Sequence, residues 1–239
     1  LENKLYGQAT QPVKLFYIGP MFRYDKPQAG RFRQFHQFGA EAIGSAHPGI
    51  DAEIITLAVR FLQSLGLDDL KLQLNSVGCP KCRPVYREKL KAFFANKIDR
   101  LCGDCKSRYE RNPLRILDCK NECCKEAAIG VPELTESLCD ECEHHFSALQ
   151  QMLQAAEIDF TLNARLVRGL DYYTKTAFEI QYAPLGAQSA VCGGGRYDGL
   201  IEECGGEATP AIGFAVGIER VLLAKKKKNL LPESDLAPT

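Results

Sequence analysis

From Gly19 to Gly44 the chain reads Gly-Pro-Met-Phe-Arg-Tyr-Asp-Lys-Pro-Gln-Ala-Gly-Arg-Phe-Arg-Gln-Phe-His-Gln-Phe-Gly-Ala-Glu-Ala-Ile-Gly, so cations, rings, an amide and a carboxylate recur at every second position. In an extended strand that spacing places Arg31, Arg33, Phe35, Gln37, Gly39 and Glu41 on one face. Phe32, Gln34, His36, Phe38 and Ala40 share the other. Guanidiniums fork onto phosphate oxygens, a flat ring stacks on a base, and Gln37 and Glu41 accept from an ammonium or an imidazole N–H. The first face therefore suits an anionic, planar, amine-bearing guest. The plainer alternative is a hairpin whose polar face is merely wet.

The elements that must hold these groups are a hairpin and the sheet it joins. Residues 15–25 and 31–43 read as strands, and Pro27 and Gly30 lie in the turn between them. With the turn centred near Gln28, Arg23 lies opposite Arg33 and Asp25 opposite Arg31. Residues 50–65 have helical spacing with Asp51 as N-cap and Gly66 as the stop, and residues 70–75 alternate as a strand. Strands resume over residues 160–167 and 177–182, flanking Arg168-Gly-Leu-Asp-Tyr-Tyr173-Thr. Ala190-Val-Cys-Gly-Gly-Gly-Arg-Tyr197-Asp-Gly predicts a strand opening into a glycine-rich turn, then a helix from about Leu200. That turn lacks the Gly-Lys-Ser/Thr ending of a P-loop, so it does not hold ATP in that way. Residues 210–224 predict a buried strand, Gly217 and a helix carrying Arg220 in its first turn. Lys225 to Lys228 offset the dipole at that helix end.

Eleven cysteines are present and nine lie between Cys79 and Cys142. They come as Cys79-x-x-Cys82, Cys102-x-x-Cys105, Cys119-x-x-x-Cys123 with Cys124 adjacent, and Cys139-x-x-Cys142. Such pairs grip a tetrahedral metal, whereas a disulfide across two residues is strained. Structural Zn²⁺ is the favoured reading, reduced thiols and disulfides being the alternatives. The four pairs make two four-thiolate sites, with Cys124 left over and Cys192 and Cys204 read as packing residues. The surrounding block, residues 79–157, is charged and mainly helical, and lacks the large apolar residues of a self-sufficient core. A metal supplies the missing folding energy.

Composition bounds the rest. The 239 residues are 45% hydrophobic, enough for one sizeable core and a smaller module. Thirty basic residues balance thirty acidic ones, so no global positive field announces a nucleic acid. No apolar run of about 18 residues occurs and the first residues lack signal-peptide architecture, so a cytoplasmic protein with no membrane span is expected.

Phe22-Arg23-x-Asp25 followed by Gly30-Arg31-Phe32-Arg33-Gln34-Phe35-His36-Gln37 resembles motif 2 of class II aminoacyl-tRNA synthetases in its histidyl form. The runs around Arg168 to Tyr173 and Gly193 to Tyr197 are similar to that family's two specific peptides, and residues 210–224 to motif 3. The resemblance implies an α+β fold: an antiparallel sheet flanked by helices, with an inserted, mainly helical, Cys-rich domain. It divides the chain into a first core part (residues 1–78), the insertion (79–157), a second core part (158–228) and a linker (229–239) towards an anticodon-binding domain.

It implies histidine activation by ATP and transfer to tRNA(His), with Mg²⁺ accompanying the polyphosphate. In it Arg23 meets the α-phosphate, Arg31 and Arg220 the outer phosphates, Asp25 the adenine amine, and Phe35 stacks on the base. Arg168 lies between the histidine carboxylate and the α-phosphate. Arg31, Gln37, Glu41, Arg168, Tyr173 and Tyr197 line the histidine pocket. The full-length protein is expected to be a homodimer, and this piece, without motif 1 and a Glu-Gly-Thr loop, to be weakly active. Two rivals are the non-catalytic regulatory subunit of ATP phosphoribosyltransferase, which shares the family's fold, and a zinc-stabilised RNA-binding module.

Overall fold

The computed structural model describes residues 10–24, 32–166 and 172–231. Its centre is a seven-stranded sheet of order β1-β2-β7-β6-β5-β3-β4. The strands are β1 (Val13–Phe22), β2 (Gln34–Ile43), β3 (Leu70–Gly78), β4 (Phe160–Leu162), β5 (Thr174–Tyr182), β6 (Ala190–Arg196) and β7 (Ala211–Gly217). Every pairing is antiparallel except the short one of β4 with β3. Helices flank this sheet, and the fold is α+β.

Strands β1 and β2 form the expected hairpin, in register from Val13 opposite Ile43 to Phe22 opposite Gln34. The Arg23 N–H donates to the Arg33 carbonyl at 2.8 Å, so these two residues face each other as the alternation predicts. Asp25 and Arg31 lie outside the described residues.

Alternation decides which face is buried. Phe38, Ala40 and Ala42 of β2 share a side with Phe214, Ile212, Phe178 and Leu74, and helices α1 (Pro48–Ser64) and α5 (Asp140–Ala155) cover it. Ile54, Ile55, Ala58 and Leu62 of α1 and Phe146, Leu149 and Leu153 of α5 close that core. Helix α1 differs from expectation at its start. His47 is the N-cap, its Nδ1 accepting from the Gly49 N–H at 3.0 Å, with Pro48 opening the first turn. Asp51 is instead fully buried.

Two other expectations are corrected. The glycines of residues 193–195 lie inside β6, each paired on both sides, so they form a flat part of the sheet rather than a turn. The strand expected over residues 160–167 ends at Leu162, where the Asn163 side chain accepts from the Arg165 N–H at 3.1 Å and turns the chain.

Between β3 and α5 lie three short helices, α2 (Cys82–Phe94), α3 (Gly103–Arg111) and α4 (Glu122–Ala127), with 3₁₀ turns among them. They close a separate small core of Tyr86, Leu90, Phe94, Leu101, Ile116 and Leu134. By its contacts α5 belongs to the sheet. Helices α6 (Leu200–Glu203) and α7 (Ile218–Lys227) follow β6 and β7. Among the described residues no helix is long and apolar enough to cross a membrane.

Candidate active site

The face opposite the helices carries few side chains. One row across it runs Glu41, Gly213, Gly195 and Ala177, and the next runs Tyr17, Gly39, Ala215, Gly193 and Glu179. Most of these small residues are buried beneath neighbouring side chains, and two of them are forced by those neighbours. A Cβ on Gly213 would lie 1.6 Å from Glu41 Oε2, and one on Gly195 would lie 2.8 Å from the Tyr173 ring. The floor is therefore bare because Glu41 and Tyr173 lie across it.

Over this floor the Tyr197 hydroxyl donates to Glu41 Oε2 at 2.5 Å. The bond fixes one carboxylate oxygen and leaves the other to a guest. Burial pushes the Glu41 carboxyl above its usual range, although the Tyr197 hydrogen bond opposes this. Tyr197 is pushed up strongly, first by burial and then by the Glu41 charge, so its phenol stays a donor. Tyr172 stands between the other phenols, its ring centroid 5.0 Å from Tyr173 and 6.2 Å from Tyr197. Tyr17, across the hairpin from Gly39, is raised by burial and then by Glu41.

Further along the same face Gln37 pairs with Gly217, and beyond it the Arg23 guanidinium stacks 4.2 Å from the Phe35 ring centroid. Arg23 Nε also donates to the Phe32 carbonyl at 2.7 Å. Arg220, in the first turn of α7, donates from Nη1 to the Ala190 carbonyl at 2.6 Å. Its neighbour Glu219 accepts from the His36 N–H at 2.8 Å and lies 2.9 Å from His36 Nδ1, tying α7 to β2 beside Phe35 and Gln37. Arg168 lies outside the described residues. Towards the other edge a cleft of about 300 Å³ opens between Lys120, Lys125 and Cys119 of the small helical block and Arg165, with Glu179 and Gln181 of β5.

Beneath Tyr197, on the helix-covered side, Arg196 is fully buried against Asp51. Arg196 Nε donates to Asp51 Oδ1 at 3.1 Å, and Nη1 donates to the Ser45 carbonyl at 2.9 Å and to Asp198 at 3.0 Å. The Thr176 hydroxyl donates to Asp51 Oδ2 at 2.5 Å, and His145 Nε2 lies 2.8 Å from the same oxygen. One carboxylate thus joins α1, α5, β5 and β6 directly under the phenol that holds Glu41.

The cysteines gather in two groups, Cys79, Cys82, Cys139 and Cys142, and Cys102, Cys105, Cys119 and Cys124, the sulfurs of each within 4.8 Å of one another. The second group takes Cys124 where the sequence spacing pointed to Cys123. One residue is about 100° of rotation on a helix, and in α4 that turns Cys124 inward and leaves Cys123 exposed. Cys192 is packed in the core, whereas Cys204 is exposed rather than packed.

The family model described as Histidyl-tRNA synthetase matches residues 3–221. The chain belongs to the histidyl-tRNA synthetase family. It is 59% identical to the Histidine--tRNA ligase of Desulfitobacterium hafniense over 226 residues, which cover 95% of this chain and 53% of that protein. The chain spans about half the length of the curated relatives it matches. The apo histidyl-tRNA synthetase of S. aureus superposes with a TM-score of 0.77 at 40% identity, over 97% of this chain and 55% of that one. A Bacillus halodurans protein titled ATP phosphoribosyltransferase regulatory subunit/histidyl-tRNA synthetase shares the fold, with a TM-score of 0.62 at 23% identity over 93% of this chain and 60% of that one.

Within this family member, sequence reasoning missed Tyr17, Tyr172 and the Arg196–Asp51 pair. Tyr17 was open to detection, since it pairs across the hairpin with Gly39, which lies in the same alternation as Gln37 and Glu41. The ion pair was not, because its partners are 145 residues apart and each looks ordinary in its own segment.

Proposed function

We propose that this chain is the catalytic core of a histidine–tRNA ligase, which joins L-histidine to ATP as histidyl-adenylate and passes the histidyl group to the 3′ end of tRNA(His). The observation that carries the reading is the Glu41–Tyr197 pair over the glycine floor, beside Tyr173. A carboxylate held by a phenol has one oxygen free to accept from an imidazole N–H. A side chain without that N–H leaves the buried acceptor unpaired, which is the strong form of discrimination.

Adenylation requires the histidine carboxylate to attack the α-phosphorus while pyrophosphate leaves. The protein's task is alignment and fixed positive charge. In this reading Arg23 meets the α-phosphate, Arg31 and Arg220 the outer phosphates, and Arg168 both the histidine carboxylate and the α-phosphate. Asp25 takes the adenine amine, and Phe35, with Arg23 already over its ring, takes the base. Gln37 and Arg31 complete the amino-acid side. Glu179 offers the face a carboxylate oxygen, the donor type that Mg²⁺ prefers. Mg²⁺ neutralises part of the polyphosphate charge when bound.

In this reading the helices between β3 and α5 form the inserted block, and Lys120, Lys125 and Arg165 of the cleft, beside Asp118 and Glu179, supply the cations for the tRNA end. The exposed apolar row Phe16, Ile18 and Phe22 on edge strand β1 supports a homodimer of the full-length, cytoplasmic protein. Histidine-dependent exchange of pyrophosphate into ATP, in the protein extended to its relatives' full length, tests the reading. Exchange that needs histidine is expected; histidine binding without exchange would favour the regulatory-subunit alternative.

A further inference from the structure

The two sulfur clusters take no part in the chemistry above. Four sulfurs at about 2.3 Å from one tetrahedral ion lie about 3.8 Å apart along every edge. The structure shows 3.6 Å for Cys79–Cys82, 3.8 Å for Cys79–Cys139 and 3.9 Å for Cys102–Cys119. These sulfurs are not joined in pairs, since all eleven cysteines are free. Four sulfurs that all lie within 4.8 Å of one another fit a shared ion better than any disulfide pairing.

Local structure repeats around them. Cys102 and Cys139 are the extended N-cap residues of α3 and α5, with Cys105 and Cys142 in the turns that follow, and Cys82 opens α2. A helix N-terminus favours negative sulfur. Donors also converge on the sulfurs: the Lys81 N–H on Cys79 at 3.4 Å, the Cys139 N–H on Cys82 at 3.1 Å and the Cys102 N–H on Cys124 at 3.3 Å. Arg108 points Nη1 at Cys105 from 3.8 Å. A neutral thiol is a weak acceptor, so this ring of N–H groups suits thiolates around a cation.

We propose that the chain holds two structural zinc ions, one on Cys79, Cys82, Cys139 and Cys142 and one on Cys102, Cys105, Cys119 and Cys124. The ligands bind as thiolates, so any thiol still protonated gives up its proton on binding. The first ion is a clasp at the neck. It joins the residues just after β3 to the start of α5, whose Glu141 reaches Lys175 of the sheet at 2.8 Å. The second lies inside the small block, and its ligand Cys119 also lines the cleft over the sheet face.

Both sites stand independently of the proposed reaction, and elemental analysis of protein purified with reductant and without chelator tests them. Two equivalents of zinc are expected. Cys142→Ser and Cys105→Ser should each retain one, Cys124→Ser one and Cys123→Ser two. Because a variant can fail to fold, the unaltered protein provides a second readout: a mercurial should displace two equivalents of zinc while eight slow thiols become titratable, after the exposed Cys123 and Cys204 have reacted. Cobalt in place of zinc should give tetrahedral sulfur-to-metal charge-transfer bands. No zinc with freely titrating thiols, or iron in its place, would overturn the proposal. A single equivalent overturns the site whose variants leave the content unchanged, and loss of zinc from Cys123→Ser but not Cys124→Ser overturns the ligand set.

Discussion

The sheet and the small helical block between β3 and α5 reach stability by different means. The sheet is covered on one face by α1 and α5, and its core draws large apolar side chains from strands far apart in sequence. The block has a smaller core of its own, with one knot of sulfur inside it and another at its neck. Large apolar area makes the sheet a platform whose other face carries the Glu41–Tyr197 pair over a row of small residues. The small block has a smaller core, the situation in which a bound metal contributes most to folding.

Metal removal should separate the two regions most strongly. Structural zinc contributes on the order of 10 kcal/mol to folding of small domains, so a chelator is expected to abolish protection of amides in α2 to α4 while those of β2, β6 and β7 stay protected in hydrogen exchange. Uniform loss across both regions would mean that they are not separate units.

The next effect lies in the sheet. Asp51→Asn takes from the buried Arg196 its fully buried carboxylate and leaves it only the partly exposed Asp198, a change that costs up to about 3–5 kcal/mol, measurable as a lower denaturant midpoint. Burial raises the Asp51 carboxyl, but hydrogen bonds and charge from His145 and Arg196 outweigh it and hold it below its ordinary value. Its contribution is therefore fully present above about pH 3.9, the unfolded value, and fades as pH falls through the lower native value. The gap between the two proteins should narrow in that acid window. A gap constant with pH would place the effect in packing instead.

Tyr197→Phe removes one hydrogen bond to a carboxylate, worth about 1.5–3 kcal/mol. It should weaken histidine binding roughly 10- to 150-fold with little change in the melting temperature. A large fall in stability with unchanged binding would make Tyr197 a structural residue. The smallest effect is expected at the exposed Lys14–Glu53 pair, where Lys14→Ala should change stability by less than about 1 kcal/mol.

Much of this molecule was legible in its residues, for identifiable reasons. The hairpin declared itself because period-two alternation leaves one register that buries Phe38 and Ala40, and motif 2 lies on it. Short cysteine spacings announced metal-ligand geometry, since ligands of one ion must be close and the chain keeps them so. What stayed hidden needed contacts at long range. Asp51 resembled a helix cap because its Arg196 partner lies on a distant strand. The glycines of β6 resembled a turn because the side chains that cover them, Tyr173 and Phe178 among them, come from other segments of the chain. Cys124 displaced Cys123 because the phase of a six-residue helix is settled by packing.

The most direct test of the central claim is calorimetric titration of L-histidine into the protein and into its Glu41→Gln variant, whose side chain is close in size but uncharged. The account predicts at least a tenfold loss of affinity with the fold intact by circular dichroism. Equal affinity for both would show that the imidazole is recognised elsewhere and that the face with the glycine floor is not the histidine pocket.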